Sequence, residues 1–141
     1  MKKKRNIAIS ILGLLVLWMI VSMLLPSTLK AESKDNRWHA VYTVDHSLKK
    51  TWAGELKWEK GNQEILAIHF LENGKVISKI NIEDQVDMMK NNKYEFAYLG
   101  EEPNKGITYQ LFIRWKEGGK EYEETLDFKR VKRLFVIPKI G

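Results

Sequence analysis

Serine and lysine supply the first chemistry to test. The spacing Ser-x-x-Lys, which on a helix brings a hydroxyl beside an amine, occurs twice, as Ser27-Thr28-Leu29-Lys30 and Ser47-Leu48-Lys49-Lys50. Penicillin-recognising enzymes that use it also need Ser-Asp-Asn and Lys-Thr-Gly elements, and the chain has neither. No serine stands in the Gly-x-Ser-x-Gly context that raises a nucleophile on a strained elbow. Metal binding fares no better. His39, His46 and His69 include no pair at i, i+4, the spacing that puts two imidazoles on one helix face. On an extended chain His39 and His46 are too far apart to share an ion, and His69 is expected in or beside the core with a hydrogen-bond partner. Glu83, Asp84 and Asp87 lack the Asp-x-Asp-x-Asp-Gly frame of a calcium loop and read as acids favouring a helix N-terminus. Gly119-Lys120 is followed by Glu121, so no phosphate-binding loop forms there. The chain is read as non-enzymatic, without catalytic residues, metal or cofactor.

Two features point to binding instead. Trp38, Trp52, Trp58 and Trp115 could stack on sugar rings, but Trp52, Trp58 and Trp115 fall on apolar alternation faces, which assigns them to a core. Lys129, Arg130, Lys132 and Arg133 put four positive charges into five residues and form a possible binding surface for anionic lipid, an anionic polymer or an acidic partner. In a regular strand Arg130 and Lys132 share one face while Lys129 and Arg133 share the other. The competing reading is that these charges keep an edge strand from pairing with another chain.

The elements that carry these residues begin with 7–25, nineteen residues without a charge, preceded by Lys2, Lys3, Lys4 and Arg5. About 20 apolar residues cross a bilayer core, and flanking basic residues tend to stay cytoplasmic. The run exceeds the ~7–15 apolar residues of a secretory signal. The best cleavage motif, Leu29-Lys30-Ala31, has a large residue where a small one is preferred. An uncleaved single-pass anchor is therefore expected, with a cleaved signal as the alternative. The divisions are a cytoplasmic tail at 1–6, a transmembrane helix at 7–25, a linker at 26–37 and an exported domain at 38–141.

Of the +6 net charge, +5 comes from residues 1–30, and the remainder is nearly neutral with nineteen basic and eighteen acidic residues. Nucleic-acid binding, which needs a basic footprint on the folded domain, is excluded on that count. There is no cysteine, hence no disulfide framework and no lipid-modified cysteine anchor.

From Trp38 a period of two takes over. Trp38, Ala40, Tyr42 and Val44 alternate with His39, Thr43 and Asp45, and Trp52, Gly54, Leu56 and Trp58 with Glu55, Lys57 and Glu59. Residues 65–71 are apolar on both faces, the mark of a central strand. Asn73-Gly74 predicts a type I′ hairpin into 76–82. One or two helical turns are predicted over 81–92. Tyr94, Phe96 and Tyr98 resume the alternation, as do Tyr109, Leu111, Ile113 and Trp115, with a turn at Gly118-Gly119 and a last short strand at 134–137.

Seven or eight strands at such spacing predict an all-β fold, a single antiparallel β-sandwich of the immunoglobulin-like, cysteine-free kind, with a small closed β-barrel as the alternative. The expected function is that of a membrane-anchored accessory module that docks on another envelope protein. The alternative is a small-ligand carrier or sensor, which an aromatic-lined pocket of ~300 Å³ or more would favour.

Overall fold

Strict alternation of large apolar and polar side chains can bury only one face of a strand, so the chain after the N-terminal helix must close two sheets face to face. The structure, a computed structural model, describes residues 2–45, 51–59, 61, 63–81 and 92–132. It divides into two compact units, 1–27 with 131–141, and 28–130.

The first unit carries α1 (Lys2–Leu24), 23 residues, or about 34 Å at 1.5 Å per residue. It holds a 19-residue span, Asn6–Leu24, long and apolar enough to cross a membrane. From Ile7 to Leu24 its large apolar side chains are exposed on every side.

The second unit is a two-sheet sandwich, and the closed barrel is not formed. Sheet A runs β6 (Lys93–Gly100), β3 (Trp52–Trp58), β2 (Trp38–Val44), β1 (Thr28–Glu32), β9 (Lys129–Val131). Sheet B runs β5 (Lys75–Asn81), β4 (Glu64–Glu72), β7 (Tyr109–Glu117), β8 (Lys120–Asp127). Buried and less buried residues alternate along β2, β3 and β7 with the phase read from the sequence. All four tryptophans of the sandwich are buried. Trp38 meets Trp115 edge-on at 5.1 Å and Trp58 at 5.9 Å, at one end of the core. Tyr42, Phe70 and Phe96 fill the other end with centroids 5.1 and 5.2 Å apart.

The turns follow their chemistry. Asn73 and Gly74 both have positive φ, 49° and 74°, as a type I′ turn requires. Asn73 is also pinned from outside, because its Oδ1 accepts from the Thr108 amide at 3.1 Å. Gly118 and Gly119, at 57° and 80°, turn β7 into β8 in the same way.

Residues 26–37 are not merely a linker. Thr28–Glu32 form β1, which pairs with β2 through Leu29↔Tyr42 and Ala31↔Ala40 and buries Thr28, Leu29 and Ala31. Ser33 then organises the turn. Its hydroxyl accepts from the Trp38 amide at 2.9 Å and donates to the Asp35 carboxylate at 2.7 Å. Arg37 reaches Glu117 at 2.8 Å, which ties the β1–β2 turn of sheet A to the β7–β8 turn of sheet B. The sandwich therefore begins at Thr28, ten residues before the expected boundary, and has nine strands among the described residues. The helical turns expected within 81–92, His46, the second Ser-x-x-Lys match and the strand at 134–137 lie outside the described residues.

Candidate functional site

Two edge strands, β5 of sheet B and β6 of sheet A, lie along the same side of the sandwich, joined where the Ser78 hydroxyl donates to the Phe96 carbonyl at 3.2 Å. Each edge is interrupted by a β-bulge. On β5 the register passes from Phe70↔Ser78 to Leu71↔Val76, which leaves Ile77 as the extra residue. On β6 it passes from Gly54↔Ala97 to Trp52↔Gly100, so Tyr98 and Leu99 together face Ala53. Bulges bend a strand and re-aim its side chains, and they gather at sheet edges and beside functional sites. Here they turn Ile77, Tyr98 and Leu99 outward, 50%, 74% and 61% exposed. Tyr98 is thereby lifted out of the inward alternation expected for it.

Leu99 is also held at φ 57°. The other non-glycine residues with positive φ among those described are Asn36, Asn73 and Asn92, the type whose short polar side chain tolerates this region. A leucine there is costly, and nothing in its burial repays the strain.

Behind Ile77 and Tyr98 a cavity of about 420 Å³ opens between the sheets, lined by Tyr42, Phe70 and Tyr109 and by the acidic residues Glu72, Glu101 and Glu102. Tyr42 donates its hydroxyl to the Glu101 carbonyl at 2.9 Å, and Tyr109 accepts from the Asn104 amide at 3.0 Å. Burial first, and then Tyr109 and the carboxylates of Glu101 and Glu72, push the Tyr42 phenol up to about 12, so it stays neutral. Gly100 permits this arrangement, since a Cβ there would collide with the Tyr42 hydroxyl.

A second, shallower groove of about 870 Å³ crosses the outer face of sheet B, where His69, Phe112, Lys79 and Arg114 line it. This explains the two-faced apolar run of β4: Ile65, Ile68 and Phe70 point inward, while Leu66, His69 and Leu71 are half-buried on the outside and Ala67, paired with Arg114 after the register shift at 65–67, is buried on that outer face. His69 lies 5.3 Å from the Phe112 ring. The hydrogen-bond partner expected for it is missing among the described residues, since its buried Nε2 has none. Burial, then Lys79 and Arg114, hold its pKa below the ordinary value.

His39 faces Glu32 across the β1–β2 pair at 3.7 Å. Among the described residues no three histidine, aspartate or glutamate side chains converge as metal ligands. Of the basic cluster, Lys129 and Arg130 lie on β9 and are exposed, as is Lys132 just after it. Arg133 lies outside the described residues. Arg130 is engaged within the fold, since its guanidinium donates to the carbonyls of Pro103 and Asn104, both at 3.0 Å. It braces the loop that carries Glu101 and Glu102. The β5–β6 mouth was not foreseen from the sequence, because a bulge reverses side-chain direction without leaving a mark in composition.

The chain matches no family model, no curated protein and no solved structure.

Proposed function

We propose that the chain is a membrane-anchored, non-catalytic envelope protein whose exported sandwich docks on another envelope protein through the β5–β6 side. The observation that carries this reading is Leu99. Strained backbone persists where surrounding structure enforces it, and it clusters at functional sites. An exposed leucine kept in a conformation suited to glycine or asparagine, beside exposed Ile77 and Tyr98, makes sense as a contact for something outside the domain.

Anchoring is supported by α1, whose apolar span comes after a basic run, the pattern that leaves the N-terminus cytoplasmic and exports the remainder of the chain. Retention of the anchor is supported by β1. Cleavage after Ala31 would remove Thr28, Leu29 and Ala31 from the core. The fold is of the immunoglobulin-like kind in this reading. The order β2-β3-β6 facing β5-β4-β7-β8 corresponds to strands A-B-E facing C′-C-F-G, with β1 and β9 added beside the first strand. The second reading, a carrier or sensor of a small ligand, is favoured by the aromatic cavity at the same mouth.

The test is a photo-reactive residue at position 76, on β5 beside the bulge, in the full chain in its native membrane. One discrete protein adduct that disappears in the Leu99→Asn variant upholds docking. An adduct indifferent to Leu99→Asn, or none, overturns it.

A further inference from the structure

We infer that the cavity behind Ile77 and Tyr98 seats an ammonium group carried on a short apolar stem. This rests on the β5–β6 mouth being the recognition site and names the chemistry received there. The rings of Tyr42, Phe70 and Tyr109 form one continuous wall, with Phe70 5.1 Å from Tyr42 and 5.9 Å from Tyr109. Tyr98 adds a fourth ring at the rim. Aromatic faces attract cations within about 6 Å of the ring centre. Glu72, Glu101 and Glu102 line the same cavity, and among the described residues no lysine, arginine or histidine lines it. Carboxylates around a cleft with low-dielectric walls focus a negative potential into it.

Arg130, which braces the neighbouring loop, is bound to the Pro103 and Asn104 carbonyls and is not among the lining residues. The Tyr42 hydroxyl directs its hydrogen at the Glu101 carbonyl, which leaves its oxygen as an acceptor for an N–H group. An anion would meet three carboxylates here. A neutral polar ligand would gain nothing from their charge. A cation with an apolar stem satisfies both the rings and the acids. A lysine side chain of the docking partner and a small free amine share this chemistry.

The experiment titrates the full chain in lipid discs with butylammonium and choline, each against its uncharged isostere, by calorimetry. Saturable binding of at least one cation, with its neutral counterpart roughly tenfold weaker or more, is expected. The combined Glu72→Gln, Glu101→Gln and Glu102→Gln variant should lose that binding, while Glu123→Gln on β8 should keep it. The inference is overturned if neither cation saturates, if the isosteres bind equally, or if the triple variant binds unchanged. Suppression of the position-76 adduct by butylammonium identifies a partner lysine as the source. Cation binding that leaves the adduct intact identifies a free amine. An adduct without cation binding rejects the ammonium while the docking reading stands.

Discussion

The ring of Phe96 lies directly on Gly54, so close that a methyl group on the glycine would overlap it. Phe96 is itself the extra residue where β6 slips against β3 between Gly54↔Ala97 and Glu55↔Glu95. The glycine thus marks a close approach between strands, as glycines within strands often do. Gly54→Ala should destabilise the sandwich by about 1–3 kcal/mol, the usual cost of overpacking. Adding Phe96→Leu should recover part of that loss. Urea denaturation of Gly54→Ala, Phe96→Leu and the double variant would measure the coupling, and additive losses would show that the contact is not the cause.

Removal of β1 tests where the domain begins. A chain starting at Ser27 should fold, whereas one starting at Glu32 should lose at least the ~1.5–3 kcal/mol that burial of Leu29 contributes, together with register pairs to β2 at Leu29, Lys30 and Ala31. Thermal melts by circular dichroism distinguish the two, and equal melting temperatures would return residues 26–31 to the status of a linker.

His69 gives the pH response a sign. Its pKa in the folded chain lies below the ordinary 6.5, so as the pH falls the unfolded chain takes up the proton first. This contribution to stability is complete above 6.5 and is lost as the pH drops toward the folded value. Between about pH 7.5 and about pH 5.5 the denaturation midpoint should fall less in His69→Gln than in the unaltered chain. Parallel slopes would remove His69 from the account.

At Leu99, function and stability should pull apart. Leu99→Asn relieves the left-handed strain and should raise stability by about 1 kcal/mol. Urea denaturation measures the change, and a loss of stability would mean that the exposed leucine is packed against something within the domain.

Arg130 and Lys132 should separate, although their charges are alike. Arg130→Gln loses two hydrogen bonds to loop carbonyls, worth about 1 kcal/mol together in this exposed setting. Proteolysis at Lys105 in the braced loop should quicken. Lys132→Gln should change stability by less than about 0.5 kcal/mol. Equal behaviour would reduce Arg130 to one more surface charge.

Most of the fold was legible because burial acts through phase. Trp38, Ala40 and Tyr42, or Leu111, Ile113 and Trp115, repeat every second residue, and Asn73-Gly74 names its own turn. What escaped had little phase to offer. β1 presents only two apolar side chains, Leu29 and Ala31, between Lys30 and Glu32, and its worth lies in backbone pairing. The bulges at Ile77 and at Tyr98 and Leu99 break the period where the candidate site opens. Tyr98 therefore read as one more residue of the inward alternation, and nothing in the pattern singled out Leu99. The cavity carboxylates come from β4 and from the loop after β6, far apart in sequence, and no local pattern joins them. The basic cluster was conspicuous, but its central arginine serves the loop of a distant strand pair.

Strand β9 lies beside β1 in sheet A, so the last of the described strands covers the first. Closing a segment of that length is entropically slow to reward. During synthesis β1 and β2 can pair early, but the outer rim of β1 stays open until residues 129–131 have been made and carried across. A chain interrupted before that point would present a bare strand rim to its neighbours, where a chain that has made β9 has that rim paired with a three-residue strand bearing Lys129 and Arg130. Short, charged rims resist pairing with other chains and bare ones invite it. Products stopped at 127 should therefore accumulate as aggregates in pulse-labelled cells, whereas those stopped at 132 should not. The order in which the ribosome delivers the strands would then decide how long each new molecule is at risk.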